Sequence, residues 1–82
     1  MTLYLISYDL NKPEKDYPKL ISYIESLSGH RVLFSEWFVR GNYTRDALYA
    51  GLKQHVDAND GLLVCAVSDA VGSSLKYDLT RV

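Results

Sequence analysis

The chain has 82 residues, 48% of them apolar, and its nine Lys and Arg against ten Asp and Glu leave a net charge of −1. This length predicts a single domain over residues 1–82, and the charge excludes a protein that binds nucleic acid through an overall basic surface. The one cysteine, Cys65, excludes an internal disulfide, and no stretch approaches the roughly 20 apolar residues that cross a bilayer. The amino terminus lacks the basic and apolar regions of a secretory signal, so the expected location is cytoplasmic, without membrane contact.

The first predicted element is a strand over residues 2–8, which ends at Asp9. Leu3 and Leu5 lie on one face and Tyr4 and Ile6 on the other, so both faces are apolar, as in a central strand covered on both sides. If the pleat continues, Asp9 lies on the face of the two leucines. A carboxylate at the end of a buried strand is held in a fixed place, as catalysis or metal binding requires.

Two helices and three further strands are predicted after it. Helical spacing of apolar residues predicts a helix from about Asp16 to Ser28, with Gly29 in the left-handed conformation that ends it. The β-forming residues that follow predict two antiparallel strands, 30–34 and 36–40. Thr44 is predicted to cap a second helix, with an apolar face of Leu48, Leu52, His55 and Val56.

The last elements are a strand over 62–67, apolar on both faces and predicted to be central, and a possible edge strand over 75–79. The order β-α-β-β-α-β predicts an α+β, ferredoxin-like domain with a four-stranded antiparallel sheet and a possible fifth edge strand from the tail. Two helices cover only one face of such a sheet. The expected cover for the other apolar face is a second copy of the chain, in a homodimer.

Two short motifs resemble a known family. Tyr8-Asp9-Leu10 ends the first strand, and Arg31-Val32-x-x-Ser35-x-Trp37 runs through the predicted hairpin. In these motifs and in element order the chain resembles the smaller of the two universal CRISPR adaptation proteins. It resembles the virulence-associated protein D ribonucleases more loosely. We interpret it as a stand-alone relative, because it has Leu33 where the CRISPR family commonly has glutamine.

The resemblance implies a homodimer in which strand-end acids of two subunits face each other. Some family members use that acid pair to hold a divalent metal and cleave RNA or DNA. Position by position, Asp9 would be the catalytic and metal-binding acid, for Mg²⁺ or Mn²⁺, with Tyr8 beside it. The implied nucleic-acid contacts are Lys12, Arg31, Ser35 and Trp37. Few basic residues follow the first strand, so RNA is the expected substrate rather than DNA.

Simpler interpretations of the same residues remain open. Asp9 fits an Asx-turn ahead of Pro13, Tyr8 and Trp37 fit core packing, and Arg31 fits an exposed or ion-paired strand position. The leading hypothesis is a metal-dependent endoribonuclease, and its alternative is a non-catalytic dimeric module that binds nucleic acid or protein. A single-strand RNA binder of the RNA-recognition type ranks last, because residues 35–39 do not match the aromatic motif of that family.

Overall fold

The computed structural model describes residues 1–11 and 17–75, which form an α+β fold with one four-stranded antiparallel sheet and two helices. The elements are β1 (Thr2–Asp9), α1 (Pro18–Ser26), β2 (His30–Leu33), β3 (Glu36–Gly41), α2 (Arg45–Lys53) and β4 (Gly61–Val67). The predicted fold class and element order are confirmed. The strand order β2-β3-β1-β4 is compatible with a ferredoxin-like fold.

The helices pack on one face of the sheet, and β1 provides the centre of that face. Tyr4, Ile6 and Tyr8 alternate along β1 and are buried, because alternate side chains of a strand share a face. The antiparallel register places Ile6 beside Trp37 of β3 and Val64 of β4. The buried core also contains Tyr17, Leu20 and Ile24 from the α1 region, Val39 from β3, and Leu48 and Leu52 from α2.

The other face of the sheet, called the open face below, is also apolar. Leu3 and Leu5 of β1 are half-buried on it, and the register places Cys65 and Val67 of β4 beside them. Leu63, which lies opposite Ser7, is 56% exposed. A partner was expected because this face leaves apolar side chains partly exposed to solvent.

The end of α1 differs from the prediction. The residue with positive φ is Ser28, at 60°, rather than Gly29. The amides of Ser28 and Gly29 donate to the carbonyls of Glu25 and Ile24, which is the Schellman arrangement with Ser28 at its left-handed position. Gly29 is required for a different reason, since a Cβ there would collide with Ile24 and Val39.

The second helix begins as predicted, because the Thr44 hydroxyl accepts a hydrogen bond from the Ala47 amide at 3.1 Å. It ends at Lys53, so His55 and Val56 follow it rather than extend its apolar face. Leu48 and Leu52 are buried as predicted.

The prediction that residues 62–67 form a central strand is wrong for the sheet of described strands, where β4 has β1 as its neighbour and ends the order. Most of the predicted strand 75–79 lies outside the described residues, as do Lys12 and Asp16. Within 1–11 and 17–75, no helix is long and apolar enough to cross a membrane.

Candidate functional site

One end of the sheet gathers most of the predicted site residues. β1 ends there at Asp9, opposite Gly61 at the start of β4. The β2–β3 turn, residues 34–35, is tied to the same end because the Tyr8 amide donates to the Ser35 carbonyl at 3.1 Å. We call this region, from Asp9 to the β2–β3 turn, the acidic end.

Asp9 is exposed and continues the pleat of β1, so it lies on the open face as predicted. Ser7, on the same face, donates from its hydroxyl to Oε2 of Glu36 at 3.0 Å. Glu36 is paired with Ser7 across the strands, so a second carboxylate lies diagonally across from Asp9. The sequence motif that indicated Asp9 did not indicate Glu36, because their proximity depends on the β1–β3 register.

Tyr8 projects from the opposite face of the sheet, among the core residues. Its hydroxyl accepts hydrogen bonds from Nε1 of Trp37 at 3.1 Å and from Nη2 of Arg31 at 3.3 Å. The structure therefore brings Tyr8, Arg31 and Trp37 together, on the side of the sheet away from the Asp9 carboxylate. The core-packing interpretation fits Tyr8 and Trp37, whose side chains are 7% and 3% exposed.

Arg31 is held between aromatic rings. Its guanidinium carbon lies 4.9 Å from the centroid of the Trp37 ring and 5.4 Å from that of Phe34, which are cation–π distances. Nε of Arg31 is buried without a hydrogen-bond partner, and within the described part of the chain no carboxylate pairs with this guanidinium. The charge is therefore stabilised by aromatic rings and by the Tyr8 hydroxyl.

Ser35 contributes its backbone, through the carbonyl that accepts from Tyr8. Trp37 is buried, so its ring is not available to stack against a base. Lys12 lies outside the described residues.

Asp60 is a site residue that sequence reasoning missed. It is 6% exposed, the one buried charged side chain among the described residues. Its carboxylate accepts from the amide of Asn11 at 2.6 Å and from the amide of Asp57 at 2.7 Å, with a longer bond from the Tyr17 hydroxyl at 3.5 Å. Asn11 follows Asp9 by two residues, so Asp60 fixes the chain just beyond the candidate metal ligand. The sequence Asn59-Asp60-Gly61 is typical of a turn, but it does not indicate the hydrogen bonds of Asp60 to the Asn11 and Asp57 amides, which we call the Asp60 clamp.

A tyrosine pair lies near the other end of the sheet. The Tyr4 hydroxyl donates to the Tyr43 carbonyl at 2.6 Å, and the two rings stack with centroids 5.8 Å apart. Burial raises the pKa of Tyr43 above its usual value of 10.0, and the neighbouring Tyr4 and Tyr23 raise it further. The Tyr43 hydroxyl itself is buried without a hydrogen-bond partner in the described structure.

The described residues do not assemble a complete set of metal ligands. Over residues 1–11 and 17–75, no group of three or more His, Cys, Asp and Glu side chains is placed to hold one. Mg²⁺ is commonly bound through one or two carboxylates, with waters and substrate phosphates completing its six ligands. Two copies of Asp9 would meet that requirement if they faced each other across a dimer axis.

Comparison of the chain with protein families, with curated proteins and with solved structures finds no match.

Proposed function

We propose that this protein is a homodimeric, metal-dependent endoribonuclease whose Asp9 carboxylates, one from each subunit, hold Mg²⁺ or Mn²⁺. The observation that carries the proposal is the position of Asp9, exposed at the end of the central strand and on the apolar open face. A partner packed on that face covers Leu3 and Leu5 and brings its own Asp9 to the same interface. The resemblance noted in the sequence supports this arrangement.

The residues around Asp9 suit a site for a cation and a phosphate. Gly61 lies opposite Asp9, and a Cβ at position 61 would crowd the Asp9 Cβ at 3.3 Å. Glu36, oriented by Ser7, adds a second carboxylate per subunit on the same face. A divalent cation bound there supplies a Lewis acid that lowers the pKa of water and offsets charge on a phosphate. The role of Asp9 is to ligate that cation, and the role of the Asp60 clamp is to hold the backbone beyond Asp9 in place.

The alternative is a non-catalytic dimer that binds nucleic acid or a protein. It is favoured by one observation, that Tyr8, Arg31 and Trp37 bind one another rather than line a cleft with Asp9. In that case the open face would still pair two subunits, and Asp9 would cap the loop that follows it in an Asx-turn. The two functions differ in whether divalent metal produces cleavage.

The test is cleavage of a labelled single-stranded RNA with Mg²⁺ or Mn²⁺, by wild type and by Asp9→Asn purified in parallel. The substitution keeps the shape of the side chain and removes the charge, so we expect cleavage and metal binding to be lost while the fold persists. Asp46→Asn is the matched control, because Asp46 is an exposed aspartate whose ion pair with Arg45 contributes little. Equal cleavage by wild type and Asp9→Asn refutes the site. Absence of cleavage in wild type favours the binding module.

A further inference from the structure

The β2–β3 turn carries an exposed aromatic ring. Phe34 is 72% exposed, the most of any aromatic side chain in the described residues. The two aromatic residues that follow on β3, Trp37 and Phe38, are 3% and 7% exposed. If an aromatic ring of this hairpin contacts a ligand from solvent, that ring is Phe34.

Phe34 differs from an isolated apolar residue on the surface because a cation lies against it. The Arg31 guanidinium is 5.4 Å from its ring centroid, with the buried Trp37 ring 4.9 Å away as a second support. The Tyr8 hydroxyl accepts from Nη2 of Arg31, which fixes the guanidinium further. No carboxylate within the described chain pairs with this guanidinium, so no neighbouring negative charge offsets it beside the exposed ring.

The turn also lies at the acidic end. The hydrogen bond from the Tyr8 amide to the Ser35 carbonyl joins the residue after Phe34 to the residue before Asp9. The turn and Asp9 therefore lie at the same end of the sheet, with Arg31 on the helix-covered face and the Asp9 carboxylate on the open face. A planar ligand with a flanking anion matches both an exposed ring and a guanidinium that no described carboxylate pairs with. A nucleotide of a single strand has both parts.

We propose that Phe34, supported by Arg31, is a stacking platform for a base of a single-stranded nucleic acid. Every base has a π face, so such stacking is tolerant of sequence, and the Arg31 charge attracts the adjoining phosphate. Bases of a duplex are already stacked, which makes a single strand the expected ligand. The platform deepens the proposed function by naming where the substrate is held, and it rests on that proposal for the presence of nucleic acid.

The test measures binding without cleavage. A fluorescently labelled 12-nucleotide RNA is titrated with protein by anisotropy in EDTA at low salt, and the same titration is made with single-stranded DNA and with duplex. Phe34→Leu keeps an apolar side chain and removes the aromatic ring, so its Kd for the single strand is expected to rise about tenfold. Phe34→Trp is expected to bind as well as wild type or better. Tyr49→Leu, which changes an exposed aromatic on α2, is expected to have no effect.

A second probe separates stacking from a structural role of the ring. An oligonucleotide with the same number of phosphates but abasic sugars should bind wild type and Phe34→Leu equally. The platform is refuted if wild type and Phe34→Leu have equal Kd values for the normal RNA. It is also refuted if Phe34→Leu raises the Kd equally for the normal and the abasic oligonucleotide, or if wild type binds neither. Because the assay contains no divalent cation, loss of the nuclease proposal alone leaves these outcomes unchanged. Binding of DNA and not RNA keeps the platform and refutes an RNA substrate.

Discussion

Replacing Asp60 tests whether a buried carboxylate organises the acidic end. In Asp60→Ala two short hydrogen bonds to backbone amides, those of Asn11 and Asp57, lose their acceptor. A hydrogen bond to a charged group contributes about 1.5–3 kcal/mol, and the lower value applies because both sites are only part-buried. The expected loss in free energy of unfolding is therefore about 3 kcal/mol. A domain of this size has only about 4–12 kcal/mol in total, so the change is large.

The measurement is urea unfolding followed by far-UV circular dichroism, with thermal unfolding beside it. A loss of about 3 kcal/mol corresponds to a fall in Tm of about 12–24 °C for a chain of this length. Asp60→Asn retains one carbonyl acceptor and should lose about half as much. Asp57→Ala is the control, since it keeps the backbone amide that donates to Asp60 and changes an exposed side chain, with an expected effect within about 0.5 kcal/mol. If Asp60→Ala costs no more than Asp57→Ala, the clamp does not stabilise the fold.

Two further predictions concern the open face and the tyrosine pair. Leu63→Glu places a charge on the open face, so light scattering should show a dimer for wild type and a monomer for this variant. The control Val71→Glu lies outside the sheet and should stay dimeric. A wild-type monomer at micromolar concentration contradicts the dimer. Because the pKa of Tyr43 is raised, the folded state keeps a proton that the unfolded state releases above about pH 10. The contribution of Tyr43 to the free energy of unfolding is therefore fully present below that pH and falls as pH rises past it. Tyr43→Phe should leave stability at pH 7 within about 0.5 kcal/mol and reduce the alkaline fall in urea unfolding; an equal fall in both proteins would show that Tyr43 is not responsible.

Local patterns predicted the elements of the fold because local forces set them. The β-forming residues of 30–40 predicted two strands close to those observed, and the Thr44 hydroxyl caps α2 over three residues of sequence. The left-handed position at the end of α1 was predicted one residue too late. Glycine was expected at positive φ, yet close packing against Ile24 and Val39 is what requires Gly29, and Ser28 takes the left-handed position.

The surroundings of the site residues could not be predicted in the same way, because they depend on contacts distant in sequence. One of the two amides that Asp60 binds belongs to Asn11, 49 residues away. Whether Arg31 met a carboxylate or an aromatic ring depended on the β2–β3 register, which places it opposite Trp37. The position of β4 at the end of the strand order could not be predicted for another reason. Leu63, Cys65 and Val67 make the open face of β4 apolar, so this end strand has the same two-sided apolar pattern as a central one.

The packing of Arg31 gives the protein an optical reporter of its own. Trp37 is the only tryptophan in the chain, and its indole donates to the Tyr8 hydroxyl while the Arg31 guanidinium lies over its ring. Indole emission depends on nearby charge and hydrogen bonding. A ligand that drew the guanidinium toward Phe34 would change the charge beside the indole without touching the tryptophan. Binding at the β2–β3 turn would then be followed in the unlabelled protein by Trp37 emission, from the inner side of the same hairpin.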